Sequence, residues 1–242
     1  MSETEKKSDS EREREVLTRI FRASERADAE TISAELNSLQ PSPLAEASRE
    51  SLLESFVANL RRNGCSCDIC DDRSAAVAQI SEFVAARHGQ RRVVTGYDPR
   101  LAALPWRDAG LLPRFGTAQT GDAVAVTYAH LAIAETGSMA IMLNRNNPAS
   151  NNLLPEDHVI LVNQSDLRYS LENLWQEPSL QSSDTRPRGI MLISGPSSTA
   201  DIGMQLVHGA HGPKALHVVV LTDDNDGHAA KDAGLRPDPG QH

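Results

Sequence analysis

Apolar residues recur at helical spacing in three segments of the chain. The first covers residues 11–39 and ends before two prolines. The second begins near Arg49 and ends at Asn63 and Gly64, a typical helix stop. The third covers about residues 73–87. An apolar face on the second and third helices predicts that both cover a core.

Short apolar runs typical of β-strands alternate with these helices. Residues 65–70 and 92–95 flank the third helix, and this order of strand, helix and strand predicts parallel strands. Residues 97–119 are predicted to form a loop, and residues 167–175 an amphipathic helix. The sequence therefore predicts an α/β domain with an open, mostly parallel sheet of about six or seven strands and helices on both faces. The remaining predicted strands cover residues 122–128, 139–143, 158–162, 189–193 and 216–221.

The two ends of the chain differ from this central part. Residues 1–15 hold six acidic and four basic residues, and residues 222–242 are rich in Asp, Gly, Pro and His. Such segments bury too little apolar surface to order themselves. We therefore expect a helical arm with a disordered start over residues 1–48, an α/β domain over residues 49–222 and a disordered tail over residues 223–242.

The composition and net charge argue against nucleic acids and membranes as partners. The chain of 242 residues has a formal net charge of −9, whereas sequence-independent nucleic-acid binding needs a basic surface. No apolar run approaches the roughly 20 residues of a membrane span, and no apolar signal region opens the sequence. We therefore expect a cytoplasmic protein that binds neither nucleic acid nor membrane.

Three cysteines lie close together, at Cys65, Cys67 and Cys70. Clustered thiols can hold a metal or an iron–sulfur cluster, but the spacing matches no zinc ribbon and a fourth ligand is not evident. In a strand, the first two side chains share one face and the third points to the other. We therefore expect small buried thiols and neither a metal nor another cofactor.

The segment from Ser194 to Asp201 is rich in hydroxyls and small residues and lies between two apolar runs. Ligands of open α/β sheets bind at the carboxyl ends of strands, where N–H groups and hydroxyls suit an anion. The alternative is that Ser197 or Ser198 caps a helix beginning at Thr199, with Asp201 in its first turn. The candidate ligand-binding residues of this segment are Ser194, Gly195, Pro196, Ser197, Thr199 and Asp201.

A second candidate loop contains Glu135, the sole Asp, Glu, Lys or Arg between Ala123 and Leu143. Unpaired buried charge is costly, so this carboxylate is either paired inside a site or lies at the mouth of a pocket. We assign it as the catalytic carboxylate, a general base or ligand contact; the alternative is an ordinary turn acid. The ligand-binding neighbours assigned with it are Thr136, Gly137 and Ser138.

The histidines and the absence of nucleotide-binding motifs constrain the function less than the two loops do. His211 lies in a His-Gly-Pro run before the last predicted strand, and we assign it to ligand binding. His130 and His217 can also titrate near neutral pH, although a lone histidine is more often structural. The sequence has no Walker loop, no G-x-G-x-x-G and no Gly-x-Ser-x-Gly, which argues against an NTPase, a Rossmann dehydrogenase and an α/β-hydrolase elbow.

With the Ala-Glu-Thr-Gly-Ser run over residues 134–138, the Ser-Gly-Pro-Ser loop resembles the LUD-domain proteins, specifically the lactate utilization protein C group. The resemblance covers roughly residues 50–221 and includes the Leu-Leu-Pro run over residues 153–155 and the His-Gly-Pro run. It implies an α/β sheet of the sugar-isomerase and CoA-transferase type. It also implies a role in L-lactate oxidation beside iron–sulfur subunits.

The sequence departs from the pattern of that family at four positions. Asn151 and Asn152 stand where the family usually has Arg ahead of Leu-Leu-Pro, Ser198 where it usually has a basic residue, and Gly203 where it usually has Glu. Charge-assisted hydrogen bonds are about twice as strong as neutral ones. We therefore expect a modest anion affinity that depends on backbone N–H groups and hydroxyls.

Three functions remain open at this point. The first is an accessory or ligand-binding component of cytoplasmic L-lactate utilization, which binds a small anionic ligand and works with iron–sulfur partner subunits that oxidise L-lactate to pyruvate. The second is a stand-alone enzyme on a CoA-transferase-like scaffold, using Glu135 on a phosphorylated or acyl substrate. The third is a non-catalytic regulatory binding module. We expect the two candidate loops to converge on one pocket.

Overall fold

The computed structural model of the chain describes residues 48–181, 186–200, 206–209 and 211–222. The predicted arm before residue 48 and the predicted tail after residue 222 lie outside the described residues. In chain order the described elements are α1 (Arg49–Arg62), β1 (Ser66–Cys70), α2 (Arg73–His88), β2 (Arg92–Thr95), α3 (Pro99–Ala102), β3 (Leu112–Phe115), β4 (Val124–Tyr128), β5 (Leu131–Ile133), β6 (Ser138–Leu143), α4 (Ser150–Leu153), β7 (Asp157–Asn163), a 3₁₀ turn (Gln164–Asp166), β8 (Leu167–Arg168), α5 (Glu172–Trp175), α6 (Pro178–Gln181), β9 (Gly189–Ile193), β10 (Ser198–Ala200), β11 (Leu206–His208) and β12 (Ala215–Leu221).

Six parallel strands form the main sheet, in the order β1-β12-β7-β4-β2-β3. From β2 the chain continues to β3 at one edge, whereas from β4 it continues in the opposite direction to β7 and then β12. The strand order therefore reverses between β2 and β4. In open α/β sheets such a switch point, at the carboxyl ends of the strands, is the usual place for a ligand.

A smaller four-stranded sheet, in the order β8-β5-β6-β9, branches from the main one. β4 ends at Tyr128 and β5 begins at Leu131, so one run of chain serves both sheets. β6 is antiparallel to β5 and β9, while β8 is parallel to β5. β10 and β11 form a separate antiparallel pair.

Alternate side chains of the main sheet pack into cores on its two faces. On one face, α2 packs through residues such as Ile80 and Val84, together with Trp106. On the other, Phe56 and Leu60 of α1 pack with the inner face of the smaller sheet. Burying a side chain of this size contributes roughly 1.5–3 kcal/mol, so both helices are held by the core more than by helix propensity.

The capping residues explain where the two long helices begin and end. The hydroxyl of Ser48 accepts a hydrogen bond from the N–H of Ser51 at 3.2 Å, and the carboxylate of Asp72 accepts one from the N–H of Ala75 at 2.7 Å. α2 ends at Gly89, which has a φ of 60°. Both N-caps satisfy N–H groups that the first helical turn leaves without a partner.

The predicted α/β class, the parallel sheet and helices on both of its faces are confirmed. The prediction of a loop over residues 97–119 is wrong in part, because this segment contains α3 and β3. β3 forms an edge of the main sheet, where Leu112 is exposed and Pro113 interrupts the pattern. An edge strand of this kind carries no apolar alternation that would reveal it.

Two further predictions and one alternative are wrong because strand pairing overrides local pattern. Residues 167–175 form the short strand β8 and only one turn of helix, since β8 pairs with β5. No helix begins at Thr199, which lies in β10 opposite Val207 of β11. β9 is half-buried and belongs to the smaller sheet, so the loop after it is not at the carboxyl edge of the parallel sheet.

Candidate ligand site where two loops meet

The two candidate loops meet through a chain of three hydroxyls. Ser138 Oγ lies 2.7 Å from Thr136 Oγ1 and 2.5 Å from Ser194 Oγ. Ser138 is buried, whereas Thr136 and Ser194 are exposed. We call these three residues, with Asn59 of α1 and its C-cap residue Asn63, the loop junction. Hydroxyls can donate or accept, so the chain can turn its protons toward an anion.

The last turns of α1 hold the first loop in place. The side-chain amide of Asn59 donates to the carbonyls of Ala134 and Glu135, at 2.7 and 3.0 Å. That of Asn63 donates to the carbonyl of Thr136 at 2.8 Å. Two asparagines four residues apart lie on the same helix face, which is why one helix can bind three consecutive carbonyls.

Two glycines allow α1 to approach both loops closely. Gly137 has a φ of 65°, and a Cβ there would lie 2.8 Å from backbone atoms of Asn59 and Leu60. Gly195 has a φ of 150°, and a Cβ there would lie 2.8 Å from the carbonyl oxygen of Asn63. Larger residues cannot occupy either position without moving the helix, so these glycines serve packing in the structure.

Glu135 lies beside the loop junction with its side chain exposed. Its own N–H donates to the carbonyl of Tyr169 at 3.0 Å. The backbone of this residue is therefore fixed while its carboxylate is accessible to solvent. Such a carboxylate can accept a hydrogen bond from a ligand hydroxyl at the mouth of a site.

Ser197 connects the second loop to the segment before β12. Its N–H donates to the carbonyl of Pro213 and its carbonyl accepts from the N–H of Gly209, both at 2.8 Å. Pro196 lies against Gly64 at the end of α1. The N–H of Ser197 therefore already has a protein acceptor.

His211 lies apart from the hydroxyl chain. It is exposed and lines an open cavity of about 610 Å³ at the amino ends of β4, β7 and β12. The Leu-Leu-Pro segment over residues 153–155 lines the same cavity, together with Glu156 and Lys214, which form an ion pair at 2.7 Å. Thr199 lies in β10, while Asp201 and Gly203 lie outside the described residues.

Sequence reasoning missed a polar cluster at the switch point of the main sheet. Arg100 is buried and donates to both carboxylate oxygens of Asp98, at 3.1 and 2.8 Å. Its guanidinium lies 4.0 Å from the centre of the Tyr128 ring. Tyr128 donates to Asn163, whose amide donates to Asp166 at 3.1 Å. We call these residues the switch-point cluster: Asp98, Arg100, Tyr128, Asn163 and Asp166.

The charge of Arg100 is matched within this cluster. Burial acts to lower the pKa of the Arg100 guanidinium, but the carboxylate of Asp98, with Tyr128 and Asp166, outweighs burial and raises that pKa. Asp98 follows β2, Tyr128 ends β4 and Asn163 ends β7. These polar residues lie at the carboxyl ends of three predicted strands that are neighbours in the sheet. Their position is the sequence signal that could have predicted the cluster.

Asn151 and Asn152, which precede the Leu-Leu-Pro run, are both buried. The side chain of Asn151 accepts from the N–H of Ala118 at 2.6 Å and donates to the carbonyl of Gly116 at 3.0 Å. Neither polar atom of the Asn152 side chain has a hydrogen-bond partner. Asn151 therefore fixes the loop after β3, while the structure gives no account of Asn152.

The cysteine side chains point to opposite faces of β1, as predicted. Cys65 and Cys67 pack on the α1 side and Cys70 on the α2 side. Burial raises the pKa of Cys65 and Cys70 to about 11 and, with the neighbouring Asp68, that of Cys67 to about 12. Within the described ranges no group of three or more His, Cys, Asp or Glu is arranged to hold a metal ion.

Comparison with known proteins finds a match to one family model. Residues 115–221 match the family model described as the LUD domain. This match spans both loops of the junction and most of the two sheets, and it confirms the resemblance that the Glu-Thr-Gly-Ser and Ser-Gly-Pro-Ser motifs indicated.

Two curated relatives of the chain share one name. The chain is 26% identical over 194 residues to the lactate utilization protein C of Macrococcus caseolyticus (strain JCSC5402), which covers 75% of this chain and 83% of that protein. It is 27% identical over 194 residues to the lactate utilization protein C of Exiguobacterium sp. (strain ATCC BAA-1283 / AT1b), covering 76% and 84%.

A solved structure supports the α/β fold. The chain is similar to a crystal structure of a DUF162 family protein from Deinococcus radiodurans, with a TM-score of 0.56 and 19% identity, covering 72% of this chain and 99% of that one. At this identity the likeness concerns the fold alone. Separately, the part of the chain that the structure describes includes no helix both long and apolar enough to cross a membrane.

Proposed function

We propose that the chain is a ligand-binding component of L-lactate utilization. The observation that carries this proposal is its similarity to proteins named lactate utilization protein C over about three quarters of its length. The hydroxyls of the loop junction support it, because their chemistry suits a small hydroxy acid. The proposal extends to this chain a role that the names give to its relatives.

The loop junction offers the two kinds of group that a 2-hydroxy acid needs. The hydroxyls of Thr136, Ser138 and Ser194 are neutral donors for its carboxylate, and the exposed carboxylate of Glu135 accepts from its hydroxyl. Neutral donors contribute about 1 kcal/mol each, so the ligand binds weakly. A weak site of this kind suits a component that presents or senses lactate.

The electrons of lactate oxidation require a redox group. We propose that partner subunits containing iron–sulfur clusters supply it and that this chain assembles with them. Copurification of the full chain with such subunits from its host tests this assembly.

The test is genetic and biochemical. Deleting the encoding gene in its host should abolish growth on L-lactate, and the intact gene should restore it. Glu135→Gln should restore growth poorly, whereas Ser51→Ala, an exposed serine on α1 outside the junction, should restore it fully. Normal growth of the deletion strain on L-lactate would overturn the proposal. Turnover of an acyl or phosphorylated substrate by the purified chain, lost in Glu135→Gln, would favour a stand-alone enzyme instead.

A further inference from the structure

A serine, a histidine and an aspartate lie in line at one edge of the main sheet, outside the loop junction and the switch-point cluster. Ser66 and Asp68 are two residues apart on β1, so their side chains share one face. His217 is the register partner of Ser66 on β12. Ser66 Oγ is 2.9 Å from His217 Nδ1, and His217 Nε2 is 3.3 Å from Asp68 Oδ2.

The imidazole is fixed by packing while the hydroxyl faces solvent. His217 is buried, and its ring is stacked on Phe83 of α2 with centroids 4.6 Å apart and planes 12° apart. Ser66 is exposed, and the side chain of Asp68 is 44% exposed. The serine oxygen is therefore accessible to a molecule in solution, whereas the ring that contacts it cannot turn away.

The protonation state suits a general base. Burial lowers the pKa of His217, and the opposing effect of Asp68 is smaller. The imidazole is therefore neutral at neutral pH. Nε2 is buried and makes no hydrogen bond of normal geometry in the described structure, so the Asp68 carboxylate is the nearby acceptor for a proton on Nε2. Nδ1 is then free to accept the proton of Ser66.

We propose that Ser66 is a nucleophile toward small activated acyl esters, with His217 as its general base and Asp68 as a positioning residue. A nucleophile and a base within hydrogen-bond reach, with the base held by a third group, is the arrangement that activates serine. β1 is paired on one side only among the described strands. Its outer edge therefore presents N–H groups to which a substrate carbonyl oxygen can bind.

The proposed reaction is a two-step acyl transfer without a redox change. The Ser66 Oγ–carbon bond forms and the ester bond to the leaving alcohol breaks. His217 takes the serine proton and passes it to the leaving oxygen. Water then attacks the acyl-serine, His217 takes a proton from that water and returns it to Ser66, and the carboxylic acid is released.

The direct experiment is to treat the full chain with a fluorophosphonate probe and with p-nitrophenyl acetate, then locate adducts by peptide mass spectrometry. The phosphonate should label Ser66, forming an Oγ–phosphorus bond with loss of fluoride. Ser66→Ala should lose this label and the burst of p-nitrophenolate, whereas Ser51→Ala, the matched exposed serine, should keep both. No label on Ser66, or labelling as slow as that of Ser51, would overturn the proposal and show a hydrogen bond that only joins β1 to β12.

The role of the other two residues is tested by rate. His217→Gln should lower the labelling rate of Ser66 about 100-fold, the lower range of general-base catalysis. Asp68→Asn should lower that rate while Asp68→Glu restores part of it, a rescue that a merely structural residue would not show. If His217→Gln fails to fold, the labelling of Ser66 and the two Asp68 variants still test the proposal. Equal labelling rates in Asp68→Asn and the unaltered chain would contradict the positioning role.

Discussion

The loop junction and the switch-point cluster are both polar, but the junction consists of neutral groups whereas the cluster contains a buried charge. The junction is a chain of neutral hydroxyls, partly exposed, that a helix end holds through backbone carbonyls. The cluster is a buried guanidinium whose charge is already matched by a carboxylate and an aromatic ring. A neutral hydroxyl chain can exchange partners at little cost, whereas a matched buried charge cannot. We therefore propose that the junction serves ligands and the cluster serves the fold.

Removing the buried charge of Arg100 is the strongest test of this difference between the junction and the cluster. Arg100→Met should lower the free energy of unfolding by about 3–5 kcal/mol, because Asp98 loses its charged partner. Urea unfolding followed by circular dichroism measures it. Arg107→Met is the control, because Arg107 also follows β2 along the chain but is exposed. It should change stability by less than about 0.5 kcal/mol. A loss below about 1 kcal/mol in Arg100→Met would show that the cluster is not a structural element.

A glycine substitution tests how tightly α1 holds the first loop. Gly137→Ala should cost about 2–3 kcal/mol, from a left-handed φ and from a Cβ that meets the α1 backbone at 2.8 Å. Gly89→Ala is the matched control, since Gly89 has a φ of 60° but a Cβ added there would meet no atom within 4 Å, and it should cost only about 1 kcal/mol. The difference in unfolding free energy isolates the helix contact, and equal costs would contradict it.

Lowering the pH tests a titratable group in the core, whereas the neutral hydroxyls of the junction do not titrate in this range. Burial lowers the pKa of His158 from 6.5 to about 3, so below pH 6.5 the unfolded chain binds a proton that the folded chain refuses. The unfolding free energy is therefore full above pH 6.5 and falls toward pH 3, by about 2 kcal/mol between pH 7 and 5. Urea melts across this range should show it.

His158→Gln provides the control for this acid effect. The variant can retain a hydrogen bond to Thr127, which lies 2.7 Å from His158 Nε2, but it cannot titrate. Its stability should depend less on pH between 7 and 5. An unchanged slope would mean that other groups cause the acid effect.

The smallest effect is expected at the junction itself. Ser194→Ala should change stability by less than about 1 kcal/mol but weaken binding of L-lactate roughly fivefold, the value of one neutral hydrogen bond. Isothermal titration with L-lactate measures this against Ser51→Ala. Equal affinities in the two variants would exclude Ser194 from the ligand site while leaving the structural comparison intact.

Most of the main sheet could be predicted from the sequence because buried parallel strands and long amphipathic helices carry strong patterns. The two motifs also predict that the loops of Ser138 and Ser194 meet, but a shared carboxyl edge of the parallel sheet is the wrong reason. β9 is antiparallel in the smaller sheet, and the loops meet because β6 and β9 are neighbours. Single-residue patterns could not show that pairing, since it depends on which strands the chain brings together.

The switch-point cluster could not be found by looking for motifs. Asp98, Tyr128 and Asn163 are 30 or more residues apart along the chain, and none of them belongs to a recognisable motif in its own segment. Only the strand order of the main sheet brings them to one place. Likewise, β8 is fixed by its pairing with β5, a strand distant in sequence, which local propensity does not reveal.

The pairing of β1 with β12 has a consequence for how the chain acquires its structure. β1 is the first described strand to be synthesised, yet its one described neighbour in the sheet is the last, with Ser66 and His217 separated by 151 positions. Contacts of such long range close slowly, because loop-closure entropy is lost before any pairing is gained. On the ribosome, β1 must wait until nearly the whole domain has emerged. A nascent chain that stops before β12 therefore exposes an unpaired strand edge.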